Sequence, residues 1–158
     1  MANALYSKGR EKFLKGDISW DTDNIKVALL AGTYLGGSVA HDTDEWFSDI
    51  ASHVLTGTAP IKSLASKTTS ITNNGTTTYG IASAAAVTFS SITSNQTIAY
   101  VAVFKDTNGS NIDGEPAAQD QDSCPLIALF DSGYGIGAGT NGGDIRITWD
   151  PINGMFKL

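Results

Sequence analysis

Five segments of the chain have the hydrophobic patterning of β-strands. They are rich in β-branched and aromatic residues, and the stretches between them consist of Gly, Ser, Thr, Asn and Asp, which favour turns. Two of the segments are almost continuously apolar, as central strands are, and the last one alternates as a half-exposed strand does. The predicted strands are residues 24–31, 87–92, 98–105, 126–130 and 144–149.

A threonine-rich hairpin is predicted between the first and second of these strands. Its strands are residues 66–72 and 76–82, and the sequence Asn73, Asn74, Gly75 supplies the positive φ angles of a tight turn. These strands carry few large apolar residues, so one face should meet solvent or another subunit. Such strands are weakly fixed in register and offer edges to another chain. A plain exposed hairpin is the alternative interpretation.

The N-terminal segment predicts a helix over residues 2–15. Apolar residues share one broad face, and Gly16 provides a left-handed end to the helix. Gly9 weakens this helix by up to about 1 kcal/mol relative to alanine. A helix of this length is marginal alone, so it must pack on its own body or on another subunit. The residues of the apolar face are Leu5, Tyr6, Phe13 and Leu14.

A second short helix is predicted over residues 42–54. Asp42 with Glu45 three residues later has the form of a capping box. Four apolar residues then recur at helical spacing and should pack against a sheet: Trp46, Phe47, Ile50 and Val54.

Together, these elements predict an all-β fold, an antiparallel β-sandwich of immunoglobulin-like or jelly-roll type with two helices. The predicted division is a helix or arm at 1–16 and one sandwich domain at 17–158.

Composition narrows the classes of partner. Charged residues make up 16% of the chain, below the roughly 25% of typical domains, so the surface is polar but weakly charged. The net charge of −6 argues against a nucleic-acid-binding surface.

The single Cys124 indicates synthesis in a reducing compartment. Because the sequence shows no signal peptide and no apolar span, we expect a chain that is neither exported nor inserted in a membrane. Four bases near the start form a solvated helix face or dock on an acidic neighbour: Lys8, Arg10, Lys12 and Lys15.

The sequence carries no convincing catalytic or cofactor motif. The alternating glycines of residues 133–139 lead into a strand and not into the helix that a phosphate-binding loop requires. The acidic loop 106–122 supplies oxygens suited to calcium, but Asn111 and Ala117 occupy the EF-hand glycine and glutamate positions. A solvated loop is therefore favoured over a calcium site. His41, His53 and Cys124 show neither metal-ligand spacing nor an orienting group.

Several stretches resemble a family of small bacteriophage structural proteins. They are MANALYSKGREKFLKGDISWDTDNIKVALL at residues 1–30, AAAVTFSSIT at 84–93, IAYVAVFKDT at 98–107 and NGGDIRITWDPINGMFKL at 141–158. The resemblance covers both ends and the later strands, and it is weakest over 55–80 and 106–123. It implies a virion component assembled in a bacterial cytoplasm, and it brings no activity, cofactor or catalytic residue with it.

Two virion roles follow from this resemblance. The first is a capsid cement or decoration protein on the phage head surface, a homotrimer that binds itself and the major capsid protein. The second is a tail-associated adaptor or receptor-binding module, in which polar loops and Tyr134 recognise a host glycan or a tail partner. A small β-sandwich hydrolase is the least favoured hypothesis. The candidate interface residues are Leu5, Tyr6, Arg10, Phe13, Leu14, Thr76, Thr77 and Thr78.

Overall fold

The predicted all-β class is confirmed. The computed structural model describes residues 4–34, 42–73, 75–107 and 121–158, and these form antiparallel sheets with two short helices, one near the N-terminus. Every strand pairing among the described elements is antiparallel. The choice between an immunoglobulin-like and a jelly-roll topology stays a prediction.

The five predicted strands and both hairpin strands are present, with bounds that differ by up to three residues. The strands are β1 Ala4–Leu5, β2 Ile25–Leu30, β3 Ile61–Ser63, β4 Thr68–Asn73, β5 Thr78–Ser83, β6 Val87–Phe89, β7 Tyr100–Lys105, β8 Leu126–Phe130, β9 Ile145–Ile147 and β10 Phe156–Lys157. The helices are α1 Ser7–Lys15 and α2 Phe47–Ile50, and 3-10 turns cover Ala51–His53 and Gln121–Ser123.

The strands form one large and two small sheets. The five-stranded sheet has the order β1-β8-β7-β2-β3, the three-stranded sheet has the order β10-β5-β4, and β6 pairs with β9. Strand β2 pairs along its whole length with β7, from Ile25 opposite Lys105 to Leu30 opposite Tyr100. All six residues of β2 are buried, so both faces of the large sheet are covered at its centre.

Two hydrophobic clusters lie on the two faces of the large sheet. The cluster between the sheets contains Ile25, Val27 and Leu29 of β2, together with apolar residues from β5, β6, β9 and β10. The cluster on the other face contains Ala28 and Leu30 of β2 and is covered by α2 and its neighbours. The sheets therefore pack in a sandwich-like arrangement with an additional cover, and this explains why the central strands are almost continuously apolar. The covering side chains include Tyr6, Tyr34, Phe47, Ile50 and Cys124.

Lys26 is a charged residue in the middle of this apolar sheet. Its Nζ lies 2.8 Å from Oδ2 of Asp106, and both side chains are fully buried. Asp106 follows β7 directly, and its backbone N–H donates to the carbonyl oxygen of Asn24 at 2.8 Å. The ion pair therefore joins the start of β2 to the end of β7. Removing one partner of such a pair leaves an uncompensated buried charge, which costs about 3–5 kcal/mol.

The predicted start of the N-terminal helix is wrong. Ala4 and Leu5 form an edge strand opposite Leu129 and Ala128 of β8, and α1 begins only at Ser7. Tyr6 keeps an extended backbone and donates its N–H to the carbonyl oxygen of Ile127 at 3.0 Å. Strand pairing overrides helix propensity here because it satisfies main-chain groups that a short helix start would leave unpaired. The predicted end is confirmed, since Gly16 adopts φ 78°.

The second helix is shorter than predicted. The 42–54 prediction is wrong at its start, because α2 begins at Phe47 and a 3-10 turn follows it. The Asp49 carboxylate accepts the backbone N–H groups of Glu45 and Trp46, both at 2.9 Å, so it does the capping expected of Asp42 and Glu45. The predicted core packing of Phe47 and Ile50 is confirmed, whereas Trp46 and Val54 are only partly buried.

Gly9 lies where α1 crosses β8. A Cβ at this position would lie 2.6 Å from the carbonyl oxygen of Leu126 and 3.0 Å from that of Ile127. Both atoms belong to a paired strand and cannot move aside cheaply. The glycine that weakens the helix in sequence terms is therefore what allows the helix to approach the sheet closely.

Gly9→Ala is expected to lower the free energy of unfolding by about 1–3 kcal/mol, because overpacking outweighs the gain in helix propensity. Chemical denaturation measures this change. Gly32→Ala is the matched control: its Cβ would meet Ala99 Cβ at 3.6 Å, an ordinary contact. The control should stay within about 0.5 kcal/mol of the unsubstituted chain. A Gly9→Ala chain of undiminished stability would contradict the close packing of α1 on β8.

Candidate functional site

A surface groove runs along the outer side of β1, between α1 and the C-terminal residues. It consists of two adjoining hollows of about 440 and 590 Å³ that share Leu5, Arg10 and Lys157. We call this surface the N-terminal groove. Its lining residues are Ala4, Leu5, Arg10, Phe13, Leu14, Phe130, Tyr134, Asp150, Asn153, Gly154, Met155, Phe156, Lys157 and Leu158.

Four of the predicted interface residues line the N-terminal groove. Leu5 reaches it from β1, and Arg10, Phe13 and Leu14 reach it from α1. The exposed fraction of Leu14 is 90%, whereas Phe13 is half-buried with its ring centroid 6.0 Å from that of Phe156. Tyr6 is fully buried in the cluster on the other face of the large sheet. The prediction that Leu5 and Tyr6 share a helical face with Phe13 and Leu14 is therefore wrong.

The groove combines an apolar floor with basic residues where its two hollows join and an acidic residue at one end. Arg10 and Lys157 stand beside the exposed side chains of Leu14 and Leu158, and Lys157 Nζ lies 4.9 Å from the centre of the Tyr79 ring. At the far end, hydrogen bonds from the N–H groups of Asn153 and Ile152 and from the Asn153 side chain hold the pKa of Asp150 below its ordinary value. The basic residues thus border the most apolar part of the groove.

The hairpin forms a second exposed surface. Thr76, Thr77 and Thr78, predicted as interface residues, are all exposed at or beside its turn. Asn74 of the predicted turn lies outside the described residues, but Gly75 adopts φ 90° and donates its N–H to Asn73 Oδ1 at 2.7 Å. Strand β4 contains no buried residue. The expectation of a solvent-exposed face is therefore confirmed for β4, whereas Ile81 and Ala82 of β5 are buried.

A hydrogen-bonded chain of three side chains was not visible in the sequence. The hydroxyl groups of Tyr6 and Tyr34 lie 2.8 Å apart, and Tyr34 donates to Asp44 Oδ2 at 2.7 Å. Burial raises the pKa of both tyrosines. These residues lie in three separate segments of the chain, and no local pattern indicates that they meet. The three hydrogen-bonded side chains join the start of α1 to the segment before α2.

Three further contacts hold α1 against that segment. Ser7 Oγ donates to Asp42 Oδ1 at 2.9 Å, Lys12 Nζ lies 3.1 Å from Glu45 Oε1, and the same ammonium lies 4.2 Å from the centre of the Trp46 ring. Lys8 and Lys15 instead form ion pairs with Glu11 along the helix. Of the four N-terminal bases, Arg10 is the one that lines the groove.

The other candidate sites gain no support. Of the possible calcium ligands, Asp106 is engaged with Lys26, and residues 108–120 lie outside the described residues. His41 is also outside them, and His53 Nδ1 lies 3.0 Å from Thr33 Oγ1. Cys124 is fully buried, with Sγ 3.9 Å from Asp106 Oδ1.

A shallow depression of about 510 Å³ adjoins the groove near Tyr134. Aromatic and polar residues line it, and the rings of Tyr134 and Trp149 meet edge to face with centroids 5.2 Å apart. Burial, followed by the nearby charge of Asp150, raises the pKa of Tyr134. The combination of aromatic faces and a carboxylate suits a small polar ligand. The lining residues are Ser132, Gly133, Tyr134, Thr148, Trp149, Asp150 and Pro151.

Asp44 should make stability depend on pH in the direction opposite to a typical surface carboxylate. Burial, assisted by the charge of Asp49, raises its pKa above the ordinary 3.8, so the folded chain holds this proton more tightly than the unfolded chain. This contribution is complete below pH 3.8 and is lost as pH rises through the folded-state pKa. Thermal unfolding of wild type and Asp44→Asn at successive pH values tests this. The stability of wild type relative to Asp44→Asn should fall across that window; parallel curves would contradict the assignment.

No protein-family model, curated protein or solved structure matches this chain. Among the described residues, no group of three His, Cys, Asp or Glu side chains has the arrangement of a metal site. No helix in the described part of the chain is long and apolar enough to cross a membrane.

Proposed function

We propose that this chain is a bacteriophage structural protein that works as a capsid cement or decoration protein, bridging subunits of the shell. The observation that carries the proposal is the N-terminal groove, in which exposed Leu14 and Leu158 lie beside Arg10 and Lys157. The resemblance of residues 1–30 to small phage structural proteins supports it, since α1 and β1, which line the groove, lie within that stretch.

The chemistry of the groove selects a type of partner. Leu14 is 90% and Leu158 is 59% exposed, and burying each fully would contribute about 1.5–3 kcal/mol. Arg10 and Lys157 would attract acidic residues at the border of the same surface. We therefore expect the groove to bind a segment of the major capsid protein that combines apolar and acidic side chains.

The contacts that hold the sides of the groove suit a protein that transmits load between neighbours. The groove runs along β1, which is bonded to β8. One of its walls is α1, which packs on β8 through Gly9 and contacts Asp42, Glu45 and Trp46 through its side chains. Because these contacts hold α1 before any partner arrives, little conformational entropy remains to be lost on binding. Point substitutions on the groove are consequently a better test than deletion of the segment.

Leu14→Glu is expected to weaken attachment to particles by at least about tenfold. It removes an exposed apolar contact and adds an acidic group to a surface that should meet acidic residues, and tenfold corresponds to about 1.4 kcal/mol. Co-sedimentation of purified protein with particles that lack it measures attachment. Ile152→Glu is the matched control, because Ile152 is 70% exposed and does not line the groove. Equal binding of both variants and wild type would reject the groove as the attachment surface.

A second candidate function is a tail-associated adaptor or receptor-binding module. The depression around Tyr134 and Trp149 favours it, because aromatic rings that meet edge to face beside the Asp150 carboxylate are suited to a sugar ring. Under this hypothesis, Tyr134→Ala should abolish glycan binding measured by calorimetry, whereas Ile152→Ala should not change it.

The copy number in purified virions distinguishes the two roles. A cement protein occupies many equivalent positions on the shell, so hundreds of copies are expected, whereas a tail component is present in a few to about a dozen copies, as its position on the symmetric tail requires. Quantitative gel densitometry against the major capsid protein measures this ratio. Absence of the chain from intact virions would reject both roles.

A further inference from the structure

The outer edge of β4 is a main-chain surface with which no described strand pairs. In the three-stranded sheet β4 lies at one edge, and β5 is the only described strand that pairs with it. It is six residues long, and its pairing with β5 continues without a bulge from Thr68 to Asn73. It contains no proline and no charged residue. Natural proteins usually protect sheet edges with bulges, prolines or charged side chains. An edge that lacks them is suited to pairing with another strand.

β4 is the longest exposed edge among the described strands. The edges of the large sheet are β1 and β3, with two and three residues, and β10 has two. Strands β6 and β9 have three each. A longer strand offers more hydrogen bonds to an added strand, so β4 is the strongest candidate for sheet extension.

The hydrogen bonds between β5 and β10 show in which direction the main-chain groups of β4 point. Gly80 donates to Leu158 at 3.2 Å and accepts from it at 2.9 Å, so its N–H and C=O point towards β10. Along an antiparallel strand these directions alternate, which turns the groups of Tyr79 and Ile81 towards β4. In the observed register these residues lie opposite Thr72 and Ser70.

Thr68, Ser70 and Thr72 are therefore the residues of β4 that bond to β5. The N–H and C=O groups of the alternate residues point away from the sheet, and these are Thr69, Ile71 and Asn73. The set is symmetric about Ile71. Ile71 is also 78% exposed and is the one large apolar residue of the strand.

We propose that β4 pairs with β4 of a second copy of this chain, antiparallel and with Ile71 on the two-fold axis. In this register Ile71 lies opposite Ile71 of the other copy, and Thr69 lies opposite Asn73 on each side. All three outward residues are then used, which gives six main-chain hydrogen bonds, two for each bonded pair. A second copy is the matching partner because the outward groups are symmetric and the strand has no charge that would repel itself.

The pairing joins two three-stranded sheets into a continuous six-stranded one. On one face it aligns a row that runs from Leu158 over Gly80 to Ile71 and continues into the other copy. Leu158 and Ile71 are both exposed in the single chain, so the contact between the two isoleucines adds apolar burial to the hydrogen bonds. The symmetry is two-fold, so the pairing produces a dimer in place of the predicted homotrimer.

Paired cysteine variants test the register. Ser70 lies opposite Thr72 of the other copy as a non-hydrogen-bonded pair, with Cα atoms about 4.5 Å apart, which a disulfide can span. Ser70 lies about 8 Å from Ser70 of the other copy, beyond disulfide reach, and the same holds for Thr72. A mixture of Ser70→Cys and Thr72→Cys chains should therefore cross-link under mild oxidation, whereas each variant alone should not. Equal cross-linking of a single variant, or none in the mixture, would overturn the proposal.

Sedimentation of the isolated protein over a concentration series tests the dimer itself. A strand pair is a small interface, so dimerisation should appear between about 1 µM and 1 mM. Ile71→Lys places two ammonium groups opposite each other and should remain monomeric, while Ile152→Lys should dimerise as wild type does. Both positions are exposed, so circular dichroism should show unchanged folding. A monomeric or trimeric wild type would overturn the inference. Neither result bears on attachment to particles, which the Leu14 variant tests separately.

Discussion

The pairing of β2 with β7 is the interaction on which the other features depend. Six consecutive residue pairs join the two strands, and β2 is buried on both faces. One face meets the smaller sheets and the other meets α2 and its neighbours, so covers must form on both sides of the same strand. The buried pair of Lys26 and Asp106 joins these strands at one end. Without this central layer, neither the groove nor the hairpin would have a support.

The N-terminal groove is a consequence of how the first residues join that layer. β1 extends the large sheet beyond β8, and α1 turns back across β8 at Gly9. This route leaves Leu14 and Phe13 on the outer side while Tyr6 enters the interior. The segment thus places an apolar and basic surface next to the C-terminal strand and holds it there before any partner binds.

The groove and the β4 edge differ in the kind of recognition they offer. The groove presents side chains of defined chemistry, so it is suited to a foreign segment with matching apolar and acidic residues. The edge presents mainly backbone groups with a symmetric arrangement, so it is suited to its own copy. The proposed attachment to a shell depends on the groove, and the proposed pairing of two copies depends on the β4 edge.

The sequence by itself determined the fold class, the hairpin and seven of the ten described strands, but not β1, β3 or β10. Residues 24–31 and 98–105 are nearly continuous apolar segments, which are typical of central strands, and the sequence Asn73, Asn74, Gly75 favours a tight turn. These properties are local, because they depend on residue spacing along one segment. The sequence also indicated Leu5, Arg10, Phe13 and Leu14 as surface candidates, although it assigned them to one helix.

The tertiary structure alone decided which residues meet. Ala4 and Leu5 have a helical pattern, yet β8 offers them main-chain partners, and so they form a strand. Asp49 and not Asp42 caps α2, because the preceding backbone turns towards Asp49. Lys26 is neutralised by a residue 80 positions away, as Tyr6 is bonded to Tyr34 from another segment. Such contacts join distant parts of the chain, and residue spacing within a segment carries no information about them.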